Sequence, residues 1–394
     1  MDIIIETEQL KEKLEIASQF VARGRTDIEI TKCVLITARD GDLFFDASNF
    51  YEGCKLRLRE GTEIKEEGQI VVETFKFQKL IKTMEGDKVS LTTKRGSLKL
   101  RDLHRESLNT FSLALIDGPD KFPTIPFPDD PKDYRMVNRE LFLSLIKKVS
   151  FAAEDPKLMS EQTNNYSKMI HFEGVLVYAT NTQKIAAVIE PKLEIPGLHL
   201  PKNAVKYFRD LSEEFKLYLE ENMFHVQDGD LFFMVRNEII NPPTSKVRKF
   251  LDKPKKIAVS YEPDEDTLKE IINALKQFRI LNESVILYIT DSTLWLGGID
   301  YTDDIGNNFD NSIKAISISP TNFNEEVMVT FKIKNLLQLL RSVNKPEIVF
   351  RGSYTEQDAF IRVFEGNYQA IVQRLVSNYE TEFVRKIKED YIGT

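Results

Sequence analysis

Basic side chains recur on the polar faces of short predicted helices, and phosphate binding is the chemistry that they could perform. One predicted helix carries Lys76, Lys79 and Lys82 opposite an apolar stripe, with no acidic residue between Thr74 and Met84. On a single helix, such residues usually do no more than hydrate the exposed face. Here the pattern recurs on four of six predicted helices in a chain with a net charge of −8. If these helices pack side by side, their common surface would attract phosphates without reading bases.

An acidic chain can bind nucleic acid when its basic residues collect on one face, so the net charge alone excludes nothing. Binding through such a face would be independent of base sequence and would weaken with salt. The candidate phosphate-binding residues are Lys76, Lys79, Lys82, Lys147, Lys148, Lys202, Lys206, Arg209, Lys334 and Arg341.

Catalytic and metal-binding motifs are absent from the sequence. It contains no Gly-x-x-x-x-Gly-Lys-Ser/Thr phosphate loop, no Gly-x-Gly-x-x-Gly and no His-Glu-x-x-His. The segment Asp300–Asp310 is rich in oxygen ligands but lacks the glutamate that closes a calcium loop, which favours a hydrated hairpin loop. The four dispersed histidines are expected to be structural: His104, His171, His199 and His225. The sequence therefore predicts a protein that is not an enzyme and that has no metal or cofactor.

The composition of the 394-residue chain is that of a well-packed protein, with 42% hydrophobic and 29% charged residues. This length predicts two to four domains. No apolar run is long enough to cross a membrane, and the N-terminal residues do not form a signal peptide. Cys33 and Cys54 lie in apolar or alternating segments and are expected to be reduced. These features predict a cytoplasmic protein.

One unit, a strand, a short amphipathic helix and hairpin strands, recurs six times along the chain, which is typical of repeat architecture. Turn pairs such as Asp40-Gly41 and Arg95-Gly96 support the hairpins. Proline-rich breaks at 117–134 and 241–255 group the units in pairs. The fold class is therefore α+β, with domains at 1–122, 123–250 and 251–376 and a C-terminal extension at 377–394. The predicted helices span 9–22, 74–84, 139–151, 201–211, 264–279 and 332–343.

Four segments carry a resemblance to a known family. Ala47–Gly53 is similar to the family's Ala-Thr-Asp-Leu-Glu-x-Gly, and Ala179–Ala186 to its Ala-Thr-Asp-Gly-His-Arg-Leu-Ala. Phe111-Ser112-Leu113 with Asp120–Pro123 is similar to the end of its first domain, and Pro242–Val247 to its Pro-Asp-Tyr-Arg-Arg-Val. From Met1 to about Val376 the chain resembles the bacterial sliding clamp, the β subunit of DNA polymerase III.

The resemblance implies three tandem DNA-clamp domains that close into a ring as a head-to-tail homodimer. Such a ring encircles duplex DNA without sequence specificity, is placed by a clamp loader, and tethers the replicative polymerase and other partners. The resemblance also implies that Arg25 contacts DNA. Phe111 and Leu113 of one subunit would meet Ile280 and Leu281 of the other. A protein-only adaptor built on the same fold remains the alternative.

The family binds a short hydrophobic peptide of its partners between the second and third domains. Carried over, the pocket would be lined by Thr180, Thr182, Lys184, Ile185, Pro242, Val247, Ile371, Gln373 and Leu375. The alternative is that these residues only pack the domain junction. Asn181–Lys184 departs from the family's Asp-Gly-His-Arg, and the chain continues past Val376. These departures predict a divergent member, of cellular, phage or mobile-element origin. Phe383, Val384, Ile387 and Tyr391 have helical spacing, which predicts an amphipathic helix near the pocket.

Overall fold

The computed structural model describes residues 1–24, 28–104, 110–116, 118–123, 133–154, 165–181, 183–220, 222–237, 240–252, 256–299, 309–351, 360–375 and 380–392. The chain divides into two compact units. The first unit consists of Met1–Glu140 and Lys206–Ile239, and the second of Leu141–Val205 and Ile240–Thr394. The described residues contain no helix that is long and apolar enough to span a membrane.

Five of the six helices predicted in the repeated units form as α-helices, and so does the helix predicted in the C-terminal extension. The described residues contain one further α-helix. The seven are α1 (Thr7–Ala17), α2 (Thr74–Lys82), α3 (Arg139–Val149), α4 (Thr244–Leu251), α5 (Glu265–Leu281), α6 (Ile333–Leu340) and α7 (Glu380–Ile387). Their ends follow local signals. The Asp264 carboxylate, for example, accepts a hydrogen bond from Thr267 N and begins α5.

The fourth predicted helix, at 201–211, is a 3₁₀ helix over Lys202–Phe208. Ala204 and Tyr207 are both buried there, and residues three apart share one side when a turn contains three residues. The segment 241–255, predicted as a linker, contains α4. Two of its three prolines, Pro242 and Pro243, precede the helix, where proline does not break the hydrogen-bond ladder.

The strands follow the predicted hairpins closely. The first nine are β1 (Asp2–Glu6), β2 (Cys33–Arg39), β3 (Asp42–Ser48), β4 (Glu52–Leu58), β5 (Thr62–Glu66), β6 (Gly68–Glu73), β7 (Lys88–Lys94), β8 (Ser97–Asp102) and β9 (Thr110–Ala114). The next eight are β10 (Arg135–Asn138), β11 (Met169–Gly174), β12 (Leu176–Thr180), β13 (Lys184–Ile189), β14 (Ile195–Pro201), β15 (Glu214–Leu219), β16 (Met223–Asp228) and β17 (Leu231–Arg236).

The remaining described strands are β18 (Val259–Tyr261), β19 (Ser284–Ile289), β20 (Thr293–Ile299), β21 (Phe309–Ser317), β22 (Asn322–Phe323), β23 (Val327–Lys332), β24 (Glu347–Arg351), β25 (Phe360–Glu365) and β26 (Tyr368–Gln373). The sequence patterns did not predict β5, because its residues alternate little between apolar and polar. The oxygen-rich segment 300–310 lies mostly outside the described residues.

The first unit contains a five-stranded sheet, β5-β1-β7-β8-β9, and an eight-stranded sheet, β10-β15-β16-β17-β4-β3-β2-β6. Asp40 and Gly41, between β2 and β3, have φ values of 53° and 80°. Positive φ at both central residues is the signature of a type I′ hairpin turn, as the sequence predicts. Helices α1 and α2 contact each other. The pairing of β17 with β4 aligns Leu231 with Leu56, so strands of two predicted domains share one sheet.

The second unit contains a nine-stranded sheet, β14-β11-β12-β13-β26-β25-β24-β18-β22, and a four-stranded sheet, β21-β20-β19-β23. Strands β13 and β26 pair with Ile185 opposite Ile371, which again joins strands of two predicted domains. Helices α5 and α6 contact each other. Each of these helices buries an apolar face, on which Leu275 of α5 and Leu339 of α6 are fully buried.

The C-terminal extension forms the predicted helix, α7, and packs on the four-stranded sheet. Phe383 and Ile387 are fully buried there, in a cluster with residues of β19, β20 and β23 that includes Trp295. At Gly297 a Cβ atom would lie 2.4 Å from Phe383 Cε2, so the glycine makes room for the ring. Thr330 Oγ1 donates a hydrogen bond to the buried Glu380 carboxylate, with an oxygen–oxygen distance of 2.7 Å.

Candidate functional site

A cavity in the second unit gathers most of the residues predicted to form a peptide pocket. Its volume is about 540 Å³. Strands β12, β13, β24, β25 and β26 and helix α4 contribute to it. Six predicted residues line it: Thr180, Lys184, Ile185, Val247, Ile371 and Gln373. The other described lining residues are Tyr166, Asn181, Gln183, Pro243, Lys246, Phe250, Arg351 and Phe360.

Two described residues of the predicted pocket, Pro242 and Leu375, do not line this cavity. Pro243 takes the place expected of Pro242. Leu375 forms an isolated bridge with Thr330, and its N–H donates to the Thr330 carbonyl at 2.8 Å, so it belongs to the β23 side of the unit. Thr182 lies outside the described residues. None of the α7 residues lines the cavity, so the prediction that the extension lies near the pocket finds no support in the lining.

Helix α4 supplies one wall of the cavity. Val247 is buried against Leu176, Tyr178 and Ala187, which anchors the helix to the sheet. The hydroxyl groups of Tyr178 and Thr244 share a hydrogen bond of 2.8 Å at its N-terminal end. Lys246, one residue before Val247 on α4, is exposed and lines the cavity.

The side chain of Asn181, between β12 and β13, makes three hydrogen bonds to described residues. Asn181 Oδ1 accepts hydrogen bonds from the backbone N–H groups of Gln183 and Lys184, both at 2.8 Å. Its amide nitrogen donates to Glu154 Oε1 at 2.9 Å. Asparagine and aspartate form this kind of turn equally through the side-chain oxygen. The Asn181 side chain therefore holds the start of β13 through its oxygen and contacts Glu154 through its nitrogen.

Lys184 lies at the edge of the cavity with its ammonium group half-buried. Its Nζ donates to the Phe151 carbonyl at 2.9 Å. Burial lowers the pKa of Lys184 to about 8, and the Glu154 carboxylate opposes this effect. The nearby charges of Lys202 and Lys334 lower the pKa further.

These interactions define a basic cluster in the second unit, formed by Lys184, Lys202, Lys332 and Lys334. The charges of the other three lysines each lower the pKa of Lys184. Lys202 and Lys334 are predicted phosphate-binding residues on different elements, and both lie near enough to Lys184 for their charges to lower its pKa. Lys332, the residue before α6, was not among the predicted phosphate-binding residues.

The other predicted basic residues are mostly exposed. In the first unit, Lys76, Lys79 and Lys82 project from α2, and only Lys76 approaches a carboxylate in the described structure, Glu73 at 3.9 Å. Lys206 lies over the Tyr207 ring, with Nζ 4.6 Å from the centroid. Exposed residues also include Arg209, Lys147, Arg341 and Lys334. Arg25 lies outside the described residues.

Lys148 is half-buried, with its Nζ 5.7 Å from the Tyr368 ring centroid. Part of its positive charge therefore faces an aromatic ring. This makes it the least accessible of the predicted residues on α3.

The residues predicted for subunit contact have the exposure that an interface needs. Ile280 and Leu281 end α5 and are 80% and 66% exposed. Phe111 and Leu113 are half-buried on β9, which is an edge strand of the five-stranded sheet. Unpaired edge strands and exposed apolar side chains are both features that a partner chain can cover.

A histidine pair supports Tyr166, one of the cavity residues. His171 Nε2 lies 2.9 Å from the Tyr166 carbonyl, which can only accept, so Nε2 carries the proton. Nδ1 of His171 is then an acceptor for the proton on Nδ1 of His199, at 3.2 Å. Burial lowers the pKa of His171 to about 4. The two histidines therefore hydrogen-bond to each other and to the backbone of Tyr166. The described residues contain no group of three potential ligands for a metal ion.

Comparison with known proteins gives consistent matches. Residues 1–126 match the family model described as DNA polymerase III beta subunit, N-terminal domain. The Beta sliding clamp of Mycoplasma genitalium is 22% identical over 339 residues, which cover 80% of this chain and 84% of the relative.

Among solved structures, the DNA polymerase sliding clamp of Bacillus subtilis is similar over 96% of this chain and 99% of its own, with 17% identity and a TM-score of 0.78. The Helicobacter pylori beta clamp bound to a DNA ligase peptide covers 95% of this chain and 100% of its own, with 19% identity and a TM-score of 0.75. The chain therefore has the fold of a three-domain sliding clamp.

Proposed function

We propose that this chain is a divergent member of the bacterial DNA polymerase III beta subunit family and acts as a sliding clamp that encircles duplex DNA and tethers a polymerase. The role is non-enzymatic and depends on binding alone. Its partners would be double-stranded DNA, a replicative polymerase and a clamp loader, and its place of action the cytoplasm. The domain limits would lie near residues 122, 250 and 376.

The cavity of the second unit is the main support for the tethering role. Six positions taken from the family's peptide pocket converge on it, although they come from separate segments of the chain. Ile185, Val247 and Ile371 give it apolar walls, and Thr180 and Gln373 add polar groups. An apolar cavity with a few polar groups is the usual form of a ligand site. A short hydrophobic peptide from the polymerase would bind there.

The DNA-binding role is supported by the placement of basic residues. The charges of Lys202, Lys332 and Lys334 lower the pKa of Lys184, so all three lie close enough to Lys184 to repel it. A phosphate group beside Lys184 would offset this repulsion, and contacts of this kind carry no sequence information. The exposed lysines of α2, in the first unit, would provide further phosphate contacts.

Electron micrographs and a topological assay test the proposal together. The purified chain should form rings with a central hole. Assembled on nicked circular DNA with a bacterial clamp loader and ATP, it should stay on the circle during gel filtration and leave once the circle is linearised. Protein that forms no ring and leaves both DNA forms equally would refute the clamp function. If it still bound polymerase peptide, it would be a protein-only adaptor.

We further propose that two chains close head to tail, with Phe111 and Leu113 of one contacting Ile280 and Leu281 of the other. Replacing Ile280 and Leu281 together with alanine should give folded monomers by light scattering, because the exposed apolar anchor is lost. Ile189→Ala is a matched control, since Ile189 is 42% exposed on β13. An unchanged dimer mass in the double variant would contradict this interface.

A further inference from the structure

The hairpin between β3 and β4 carries two largely exposed aromatic side chains. Phe50 and Tyr51 are 53% and 63% exposed. The family pattern that this segment resembles has leucine and glutamate at these two positions, so this chain has two aromatic rings where the pattern has none. Neighbouring exposed aromatic rings are typical of a binding surface, because each ring gains free energy when a partner covers it.

The backbone of Phe50 is strained. Its φ is 71°, in the left-handed region that glycine adopts freely and a bulky residue does not. The Phe50 N–H donates a hydrogen bond to Ser48 Oγ, with a nitrogen–oxygen distance of 3.2 Å. Glycine at this position would remove the strain, so the aromatic ring is present at a cost in stability. Strain of this kind is concentrated at functional sites, where the surrounding structure holds it.

Hydrogen bonds hold the hairpin in one conformation. Asn49 Oδ1 accepts from the N–H groups of Tyr51 and Glu52 at 3.0 and 2.9 Å. The Arg236 N–H donates to the Tyr51 carbonyl at 2.8 Å, which ties the hairpin to the end of β17. The rings of Phe50 and Tyr51 therefore project from a fixed backbone, and a partner would bind them without first ordering a loop.

Cationic side chains lie close to the hairpin. The guanidinium carbon of the exposed Arg236 is 5.9 Å from the centroid of the Tyr51 ring. Burial lowers the pKa of Lys206, the Glu52 carboxylate raises it and the charge of Arg23 lowers it. Lys206 therefore lies near Glu52, and Arg23 lies near Lys206. An anionic partner on the hairpin would be attracted by these positive charges.

The one acidic group between Ser48 and Gly53 is engaged within the protein. The Glu52 carboxylate is half-buried and accepts hydrogen bonds from the Tyr207 hydroxyl and from Asn49 Nδ2. Lys206 offsets its negative charge, and the exposed rings have the positive charge of Arg236 beside them.

Flat apolar rings beside positive charge suit a partner that contains bases and phosphates. Stacking of bases on aromatic side chains, together with contacts between cations and phosphates, is the usual means by which proteins bind single-stranded nucleic acid. In duplex DNA the faces of each base are covered by the neighbouring bases. The partner that fits the hairpin must therefore contain unpaired bases.

We propose that the hairpin of Phe50 and Tyr51 is a stacking site for unpaired bases of single-stranded DNA, and that Arg236 contacts the adjoining phosphate. The inference rests on the proposed DNA-binding function and adds to it a separate site for single strands. Because every base has a face that can stack, the site would show little sequence preference.

Two fluorescein-labelled oligonucleotides of equal charge provide the test. One is an oligothymidylate of about twelve nucleotides, and the other is a strand of the same length with abasic sites in place of the thymidines. Fluorescence anisotropy with the full-length protein, at one fixed low salt concentration, should give at least about fivefold tighter binding of the oligothymidylate. Phosphate contacts are the same in both strands, so the difference measures base stacking alone.

Variants connect the base preference to the hairpin. Tyr51→Ala should reduce the preference for the oligothymidylate, and Tyr51→Phe should keep it because the ring remains. Arg236→Gln should weaken binding of both strands. Tyr134→Ala is the matched control, because Tyr134 is 46% exposed in the same unit and has the Lys216 Nζ 4.5 Å from its ring centroid.

Phe50→Gly distinguishes binding from a structural role. Glycine relieves the positive φ, so the melting temperature should be unchanged or higher, while the base preference falls. A ring that served only to hold the hairpin would instead lower the melting temperature when removed. Melting temperatures also identify any variant that fails to fold, and Phe50→Gly carries the test if Tyr51→Ala does so.

The outcomes separate this inference from the clamp function. Equal affinity for the two oligonucleotides, no binding of either, or a preference that persists in both Tyr51→Ala and Phe50→Gly would overturn the stacking site. The same holds if Tyr51→Ala lowers only the affinity for a purified polymerase, since the hairpin would then be a protein contact. Retention on circular DNA should be equal in Tyr51→Ala and the wild type. A wild-type protein that is not retained would refute the clamp function, whatever the base preference.

Discussion

Phe383 is the residue on which docking of the C-terminal helix should depend most. It is fully buried on the four-stranded sheet, and α7 contains only eight residues. A helix this short is not stable by itself in water, so α7 should fold only when docked. Replacing a fully buried phenylalanine with alanine costs about 3–5 kcal/mol. Because about 1.4 kcal/mol corresponds to a factor of ten, Phe383→Ala should raise the undocked population at least roughly 100-fold.

Hydrogen exchange followed by mass spectrometry measures this population directly. Amides of 380–392 should exchange at least roughly 100-fold faster in Phe383→Ala, while amides of β1 and β2 in the first unit keep their rates. Glu382→Ala is the matched control, since Glu382 is exposed on the same helix. Equal exchange of α7 in the wild type and in Phe383→Ala would refute the reasoning. Equal acceleration by Glu382→Ala would show that the charge of this first-turn carboxylate at the helix N-terminus, and not the burial of Phe383, holds the helix.

Further predictions concern the same sheet, the histidine pair and the basic cluster. Gly297→Ala should also accelerate exchange of α7, because its Cβ would collide with the Phe383 ring, yet it should be neutral or slightly stabilising in a chain that ends at residue 376. The pKa of His171 falls from 6.5 to about 4 in the folded state, so stability present above pH 6.5 should decline as the pH falls towards 4. The loss measured by denaturation should approach about 3 kcal/mol, and His171→Gln should flatten the pH profile. If Lys202 and Lys334 contact phosphates, each substitution by alanine should lower the slope of log affinity for duplex DNA against log salt by about one, and unchanged slopes would remove these residues from the interface.

Local patterns in the sequence determined most of the secondary structure. The apolar stripe of α2 predicts the burial of Phe77 and Ile81, and both are fully buried. The Asp40-Gly41 pair predicts a type I′ turn, and both residues have positive φ. Such features depend on contacts between residues a few positions apart, which the order of residue types already contains. The fold class and the six repeated units follow from the same local signals.

The candidate site could be predicted only in part from the sequence. Six of its residues were found through the family resemblance, whereas Arg351, Phe360 and Lys246 were not. Lys246 lies on α4, in a segment whose prolines predicted a linker, and its helix forms because Val247 can be buried on the sheet.

The tertiary structure decided which distant residues meet. Pairing of β13 with β26 places Ile185 opposite Ile371, and the β24–β25 hairpin then brings Arg351 beside the same cavity. The position of α7 was likewise decided by the sheet, where Gly297 leaves space for Phe383. Strand register and the fit of side chains across a sheet depend on residues that are far apart in the chain. Periodicity within one segment carries no information about them.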